Sequence, residues 1–224
     1  SLGKNEDAQL FGKRAQGYKH YYSGEYGTFR PLLPNGEFLK PFNPLMGANF
    51  EPNHGFHEGN AWNYSFAIPF DIPGLVKLMG GKQKFVNRLQ ATLDKGYFDV
   101  TNEPGMLYPH VFAEIKGEEW RTQKLVKDIL DKHFTNSPGG IPGNDDTGTM
   151  STWALMNMIG IYPFCPGRPD YTVVTTVFDK VTIRLDKKYY PNADKVTLRR
   201  QKEEHGDLIK QIVIDGKPFT GVKL

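Results

Sequence analysis

The sequence is nearly empty of sulfur chemistry. Its 224 residues hold one cysteine, Cys165, which excludes an intrachain disulfide framework. The setting of that residue, "YPFCPGRP", is a proline-rich turn without a nearby His–Asp pattern, so a packed small side chain is expected rather than a catalytic thiol. Apolar runs stay far short of the ~18 residues that a membrane span requires. Net charge is only +3, and the segment from Arg168 onward carries 12 Lys and Arg against 8 Asp and Glu; neither it nor the nearly neutral remainder has the basic concentration that nucleic-acid binding draws on. No G-x-S-x-G, P-loop, G-x-G-x-x-G or H-E-x-x-H pattern occurs, which removes motif support for a serine nucleophile, a nucleotide or a zinc peptidase site. The opening "SLGKNEDAQLFGK" lacks both an initiator methionine and the apolar core of a signal peptide, and reads as the interior of a longer protein.

What is present falls into two regions. The first, to about Gly167, reads as helices joined by long loops. "NEDAQLFGKRAQGYKHYY" places Ala8, Phe11, Ala15, Tyr18 and Tyr22 at helical spacing, with Asn5 as a candidate cap. A loop of Gly, Pro and Asn follows from Ser23 to Asn60; loops of this length inside compact domains are usually functional or disordered, and its aromatic content argues against disorder. Asp71 and Pro73 open a helix that Gly80–Gly81 should end. "KQKFVNRLQATLDKG" shows Phe85, Val86, Leu89 and Leu93 on one face, and "GEEWRTQKLVKDILDKHF" shows Trp120, Leu125, Ile129 and Leu130. "TMSTWALMNMIGIYP" is the most apolar helix, expected to be buried on most sides and stopped by Gly160 and Pro163. From residue 168 the period changes: "YTVVTT", "DKVTIRL", "DKVTLRR" and "LIKQIVID" are β-branched and alternating, with "DGKPF" as a turn after the last strand.

The chemistry-bearing residues cluster at loop–helix junctions, where rigid elements present functional groups. "HGFHEGNAWNY" holds His54, His57, Glu58, Asn60 and Trp62; "DVTNEPGMLYPH" holds Asn102, Glu103, Tyr108 and His110; "GNDDTG" holds Asn144, Asp145 and Asp146; "PNGEFLKPFNP" holds Glu37 and Asn43. A zinc site at His54 and His57 lacks an obvious third ligand. Paired carboxylates read better: glycosidic hydrolysis needs an acid at the leaving oxygen and a base or nucleophile at the anomeric carbon, and the Asn- and Asp-rich loops also suit a hard cation such as calcium. Each residue has a plainer reading beside this one. Asp145 or Asp146 could serve only as a helix cap, Glu103 only as the acid at a helix start, and the aromatic residues, 13% of the chain, are more often core than sugar platform.

Three blocks, "EGNAWNYSFAIPFDIPGLVKLMGG", "NEPGMLYPHVF…GEEWRTQKLV" and "GIPGNDDTGTMSTWALMNMIGIYPFCPG", with the continuation "PDYTVVTTVFDKVTIRL", resemble glycoside hydrolase family 92, the calcium-dependent exo-α-mannosidases, over nearly the whole chain. The resemblance implies a mainly α fold: residues 1–167 as the C-terminal portion of an (α/α)6 catalytic toroid, and residues 168–224 as a β-rich segment, part of a β-sandwich. It implies cleavage of terminal α-linked mannose with inversion, Ca2+ as cofactor, mannose-containing glycans as partners and a secreted, periplasmic or cell-surface location. By motif, Glu58 resembles the general acid and Asp146 the general base, supported by Asp145; Glu103, Asn60, Trp62, His57 and Asn102 are implied in substrate binding, and Asp146 and Asn144 in metal binding. Asn144 stands where other members carry an acid, and "NEPGMLYPH" lacks the paired histidines many carry after the Glu-Pro. Family members are several times longer, so the chain is expected to be one portion of such an enzyme, needing the remainder, covalently or as a partner chain, for a complete pocket. A non-catalytic carbohydrate-binding fragment and a purely structural helical domain are the competing readings.

Overall fold

The computed structural model describes residues 3–47, 55–201 and 208–224. The chain divides into two compact units, Ser1–Asp99 and Val100–Leu224.

The first unit begins with helix α1 (Asn5–Ala15), which buries none of its residues. Asn5 is its first helical residue, not its cap; Lys4 holds the cap position and no side chain caps the helix. The expected apolar face running on to Tyr22 breaks at Ala15, where the chain tightens into a 3-10 segment, Gln16–Tyr21, that buries Tyr18. Tyr18 donates to Asp71 at 2.9 Å. Strands β1 (Tyr22–Ser23) and β2 (Thr28–Phe29) then pair antiparallel. Helix α2 (Ala61–Tyr64) starts on a reciprocal capping box between Asn60 and Asn63. Helix α3 (Ile72–Leu78) has Asp71 as its cap, accepting from the Gly74 N–H at 2.9 Å, and turns off through Gly80 and Gly81, both at positive φ. Helix α4 (Lys82–Asp94) buries Phe85, Val86 and Leu89, as its periodicity predicts, together with Thr92. Phe66 packs edge-on against Phe85 at 5.5 Å, and the buried Ser65 hydroxyl accepts from the Phe29 N–H at 2.9 Å, so α2, α4 and β2 share one core.

The second unit opens with two short helices, α5 (Glu103–Met106) and α6 (Tyr108–Val111). Helix α7 (Glu119–His133) follows and buries Thr122, Gln123, Val126, Ile129 and Leu130. That face is rotated from the expected one: Trp120 lies off it, exposed, with the Arg121 guanidinium 4.8 Å from its ring. Helix α8 (Thr149–Ile159) buries Met150, Trp153, Ala154 and Asn157, while Leu155 is 55% exposed; burial is therefore one-sided, not on most sides, because the small and polar residues Ser151 and Thr152 share the outer face with Leu155. Gly160 stops the helix in the left-handed region (φ 106).

Strands β3 (Ile161–Tyr162) and β4 (Thr172–Val173), β5 (Lys180–Arg184) and β6 (Lys195–Arg199), and β7 (Ile212–Ile214) and β8 (Lys217–Phe219) form three antiparallel pairs. Among the described residues no larger sheet joins them. The expected terminal turn is shorter than "DGKPF": Asp215 and Gly216 alone, both at positive φ, make the two-residue reversal that suits a hairpin, and Lys217–Phe219 return as a strand. No helix of the described residues is long and apolar enough to cross a membrane.

Candidate active site

The "GNDDTG" loop is built around left-handed backbone. Asp145 (φ 57), Thr147 (φ 52) and Gly148 (φ 77) all lie in the left-handed region, which disfavours side chains with a Cβ. The consequence is a division between the two aspartates. Asp145 folds back over the start of α8, where its carboxylate accepts from the Ser151 N–H at 2.8 Å and from the Ser151 hydroxyl. It thus satisfies one of the orphan donors of a helix N-terminus from outside the cap position itself, and the Ser151 hydroxyl, followed by its N–H, holds the Asp145 carboxyl below the ordinary carboxylate range. Asp146 does none of this. Its side chain is exposed, it makes no hydrogen bond among the described residues, and only its backbone carbonyl is used, accepting from the Thr149 hydroxyl at 2.8 Å.

Two contacts bring the Glu103 segment to this loop. The Trp153 indole N–H of α8 donates to the Met106 carbonyl of α5 at 2.9 Å. Gly143 presses so closely on residue 101 that a Cβ there would overlap the Thr101 carbonyl oxygen and the Met150 side chain; only glycine permits this approach. Asn102 and Glu103 therefore stand at the start of a helix that is pinned beside α8, the helix that follows Asp145 and Asp146. Asn102 holds the cap position of α5 without a side-chain cap bond. Asn144 is exposed, like Asp146.

In the first unit, Glu58 sits at φ 53. Its carboxylate is half exposed and lies 3.9 Å from the more exposed His57 imidazole. The loop is held from both ends: the Tyr64 hydroxyl donates to the His57 carbonyl, Phe56 stacks on Tyr64 at 5.8 Å, and the Asn60 side chain accepts from the N–H groups of Trp62 and Asn63 at 2.9 and 3.3 Å. Trp62 is 7% exposed, with the Arg88 guanidinium 4.2 Å from its ring and Tyr97 5.0 Å away. Asn60 and Trp62 thus secure the loop from beneath, and His57 and Glu58 are its outward groups. Glu37 and Asn43 are engaged locally with Asn35 and the Leu45 N–H. His54 lies outside the described residues.

Among the described residues, no three or more His, Cys, Asp and Glu gather as a metal-binding group. Cys165 is buried, and burial pushes its thiol up, in keeping with a packing role. The sequence reading gave no role to the pair of arginines, Arg30 and Arg88, that brace the loops of the first unit; an arginine in an aromatic-rich loop, like Arg30, or on a helix, like Arg88 on α4, is too common to single out.

The comparisons with known proteins agree with one another. The profile described as "Glycosyl hydrolase family 92 catalytic domain" matches residues 1–224. An "Uncharacterized secreted glycosidase" of Arthroderma benhamiae is 27% identical over 204 residues, covering 89% of this chain and 25% of that protein. The GH92 alpha-mannosidase BT3965 from Bacteroides thetaiotaomicron, solved in complex with mannoimidazole, superposes with a TM-score of 0.86 at 26% identity, over 100% of this chain and 31% of its own. The inverting GH92 mannosidase BT2199 of the same organism, at 24% identity, shares the fold with a TM-score of 0.84 over 100% of this chain and 32% of its own. The chain thus spans about a quarter to a third of the length of these relatives.

Proposed function

Because the chain belongs to glycosyl hydrolase family 92, we propose that it carries the two proton-transfer carboxylates of an exo-acting α-mannosidase that works with inversion. In this reading residues 1–167 belong to an (α/α)6 toroid and 168–224 to a β-rich segment, and the remaining part of the enzyme completes the pocket. The substrates are mannose-containing glycans, met outside the cytoplasm, where the secreted relative points.

The observation that carries the assignment is the different fate of Asp145 and Asp146. A base must reach water, and a carboxylate tied to a helix N-terminus is poorly placed to do so. Asp145 is tied and Asp146 is not. Asp146 is therefore the base and Asp145 the residue that fixes its loop. Glu58, held outward on a strained turn, is the acid. In the reaction Glu58 gives its proton to the glycosidic oxygen as the bond to the anomeric carbon breaks. Water attacks that carbon from the opposite face and its proton passes to Asp146, so that one inverted sugar and one alcohol leave. Glu103, Asn102 and His57 supply sugar contacts from the loop surfaces, with Asn60 and Trp62 beneath them.

The donor chemistry also fits calcium. Asn144 and Asp146 offer exposed side-chain oxygens, the type a hard cation prefers; because calcium takes roughly six to eight oxygens, these two would hold only part of such an ion's shell and other oxygen donors would have to complete it. When bound, the ion supplies positive charge beside the sugar hydroxyls.

The test compares Glu58→Gln and Asp146→Asn on an aryl α-mannoside, in the full-length protein that contains this chain, with mannose-analogue binding followed by calorimetry. Both substitutions should cut turnover by roughly 10²–10⁴ while binding persists. Unchanged turnover in either variant refutes the corresponding role. The isolated chain, which spans a third or less of its relatives, is expected to turn over weakly or not at all.

A further inference from the structure

The first unit contains a second built structure, and it lies directly under the Glu58 loop. Arg30 is 5% exposed. Its Nε and one terminal nitrogen donate as a fork to a single carbonyl, that of Leu39, at 3.0 and 2.9 Å. Three aromatic rings surround the same guanidinium: Tyr26 at 5.1 Å, Phe38 at 5.3 Å and Phe42 at 5.1 Å. Tyr26 and Phe42 meet edge to face at 4.9 Å, closing the cage. The remaining terminal nitrogen reaches Glu25 at 3.4 Å, where the carboxylate is largely exposed.

Burying a guanidinium costs desolvation, which the forked bond to the Leu39 carbonyl and the three ring faces offset. The arrangement does accomplish something a lysine could not. The planar fork and its two flat faces fix residues 26–42 around one point. The Leu39 N–H donates to the Pro31 carbonyl at 2.9 Å, and the Leu33 N–H to the Glu37 carbonyl at 2.8 Å, so the loop is held as a folded body.

That body abuts the acid loop. Pro31, the residue after Arg30, presses on Gly55 so closely that a Cβ there would overlap its ring, and Gly55 lies at φ 75. Gly47, further along the same loop, is similarly close to the Glu58 side: a Cβ on it would stand 3.0 Å from the Gly59 carbonyl and 3.1 Å from Phe56 Cβ. The caged segment itself meets the acid loop at Gly55, through Pro31 and Leu39, while the contacts on Phe56 and Gly59 come from Gly47, five residues beyond that segment. The φ of 53 at Glu58 needs surroundings that over-determine it, and the caged segment supplies the part of them that acts through Gly55.

We infer that Arg30 is a positioning residue for Glu58: its aromatic cage rigidifies the 26–42 loop, which in turn fixes the backbone from which the acid is presented. The inference rests on the reading of Glu58 as the general acid. It makes a specific kinetic claim, because an acid matters in proportion to how badly the leaving group needs a proton.

The experiment compares phenyl α-mannoside, whose phenol leaves poorly, with 2,4-dinitrophenyl α-mannoside, whose phenolate leaves without help. The full-length protein carries Arg30→Met, Arg30→Lys, the milder Phe42→Leu, or Glu58→Gln, and thermal melting is recorded for each. Glu58→Gln should lose turnover on the phenyl substrate far more than on the dinitrophenyl one. Arg30→Met should show the same selective pattern at smaller amplitude, about tenfold or more against a general-acid contribution of roughly 10²–10⁴, with kcat falling and KM little moved; Phe42→Leu should show a weaker version, and Arg30→Lys should recover less than half of the loss on a logarithmic scale. If Glu58→Gln shows no selectivity, the acid assignment is wrong and the inference goes with it. If Glu58→Gln is selective but the Arg30 and Phe42 variants lose activity equally on both substrates, in step with their melting temperatures, the cage is structural only and the inference is overturned. Should Arg30→Met fail to fold, Phe42→Leu decides between these outcomes.

Discussion

His110 gives the structure its sharpest test in solution. The residue is fully buried on α6, stacked face to face on Tyr162 at 4.1 Å and set edge-on to Trp153 at 6.0 Å. Neither ring nitrogen has a hydrogen-bond partner. Burial alone pushes its pKa down to about 3, and the one titratable ring stacked on it, Tyr162, stays neutral because burial pushes that hydroxyl up to about 12. The imidazole is thus neutral in the native state at every pH above about 3, whereas in the unfolded chain it takes a proton below about 6.5. Where the unfolded state binds more protons, stability rises with pH. This group's penalty is therefore absent well above pH 6.5 and grows as pH falls from there towards 3. Between pH 8 and pH 5 the linkage amounts to roughly 2 kcal/mol. His110→Phe preserves the stacked ring and abolishes the proton site. Urea unfolding of both proteins at pH 8 and pH 5 should show the variant losing less stability by about that amount. The comparison is of slopes, so a constant offset from the slightly larger ring does not enter. Equal pH dependence in the two proteins would refute the claim that His110 is buried without a partner for its proton.

Trp153→Phe removes the indole N–H that reaches the Met106 carbonyl and part of the ring stacked on Phe134 at 5.7 Å; an unpaired buried carbonyl plus a partial cavity should cost about 2–4 kcal/mol in denaturant unfolding, and a loss under ~1 kcal/mol would mean that this bond does not pin α8 to α5. Ser151→Ala deletes the foremost cause of the low Asp145 pKa, so carboxyl-carbon NMR should show that pKa rise towards the ordinary carboxylate value. The sign follows from linkage: the benefit of the depressed pKa is present above the unfolded value near 4 and disappears as pH falls through the folded one, so the variant should also lose less stability on acidification; an unmoved Asp145 titration would show that the hydroxyl is not its partner.

Local rules made much of the fold legible. Asp71 with Pro73 marked the start of α3, Gly160 the end of α8, and the spacing of Phe85, Val86 and Leu89 the inner face of α4, because capping and periodicity act within a few residues. What failed depended on contacts distant in sequence. Nothing near Phe11 shows that α1 buries none of its residues, and the position of Trp120 off the inner face of α7 depends on which side α6 and the tail approach, the latter through the Ile209 N–H and Gln123 at 2.6 Å. The candidate site was read from residue types at loop–helix junctions. Which aspartate caps and which is free was not, since the left-handed turns at Asp145 and Thr147 decide it and neither residue type announces such a turn.

Those turns also bear on the proposed role of Glu58. Among the described residues, four other than glycine have positive φ: Glu58, Asp145, Thr147 and Asp215. Asp215 belongs to a hairpin, where the conformation is routine. The other three lie in the two loops assigned to acid and base. A chain with 24 glycines has the simplest remedy for such strain in frequent use, and a non-glycine residue in this region costs roughly 1–2 kcal/mol. At Asp145 the side chain recovers part of that cost through Ser151. At Glu58 the ion pair with His57 is largely exposed, and pairs of that kind contribute little. On the proposed reading of Glu58 as the acid, a strained position that presents its carboxylate outward suits proton donation to the leaving oxygen, and the Arg30 and Glu58 variants compared on the two aryl mannosides test that reading directly.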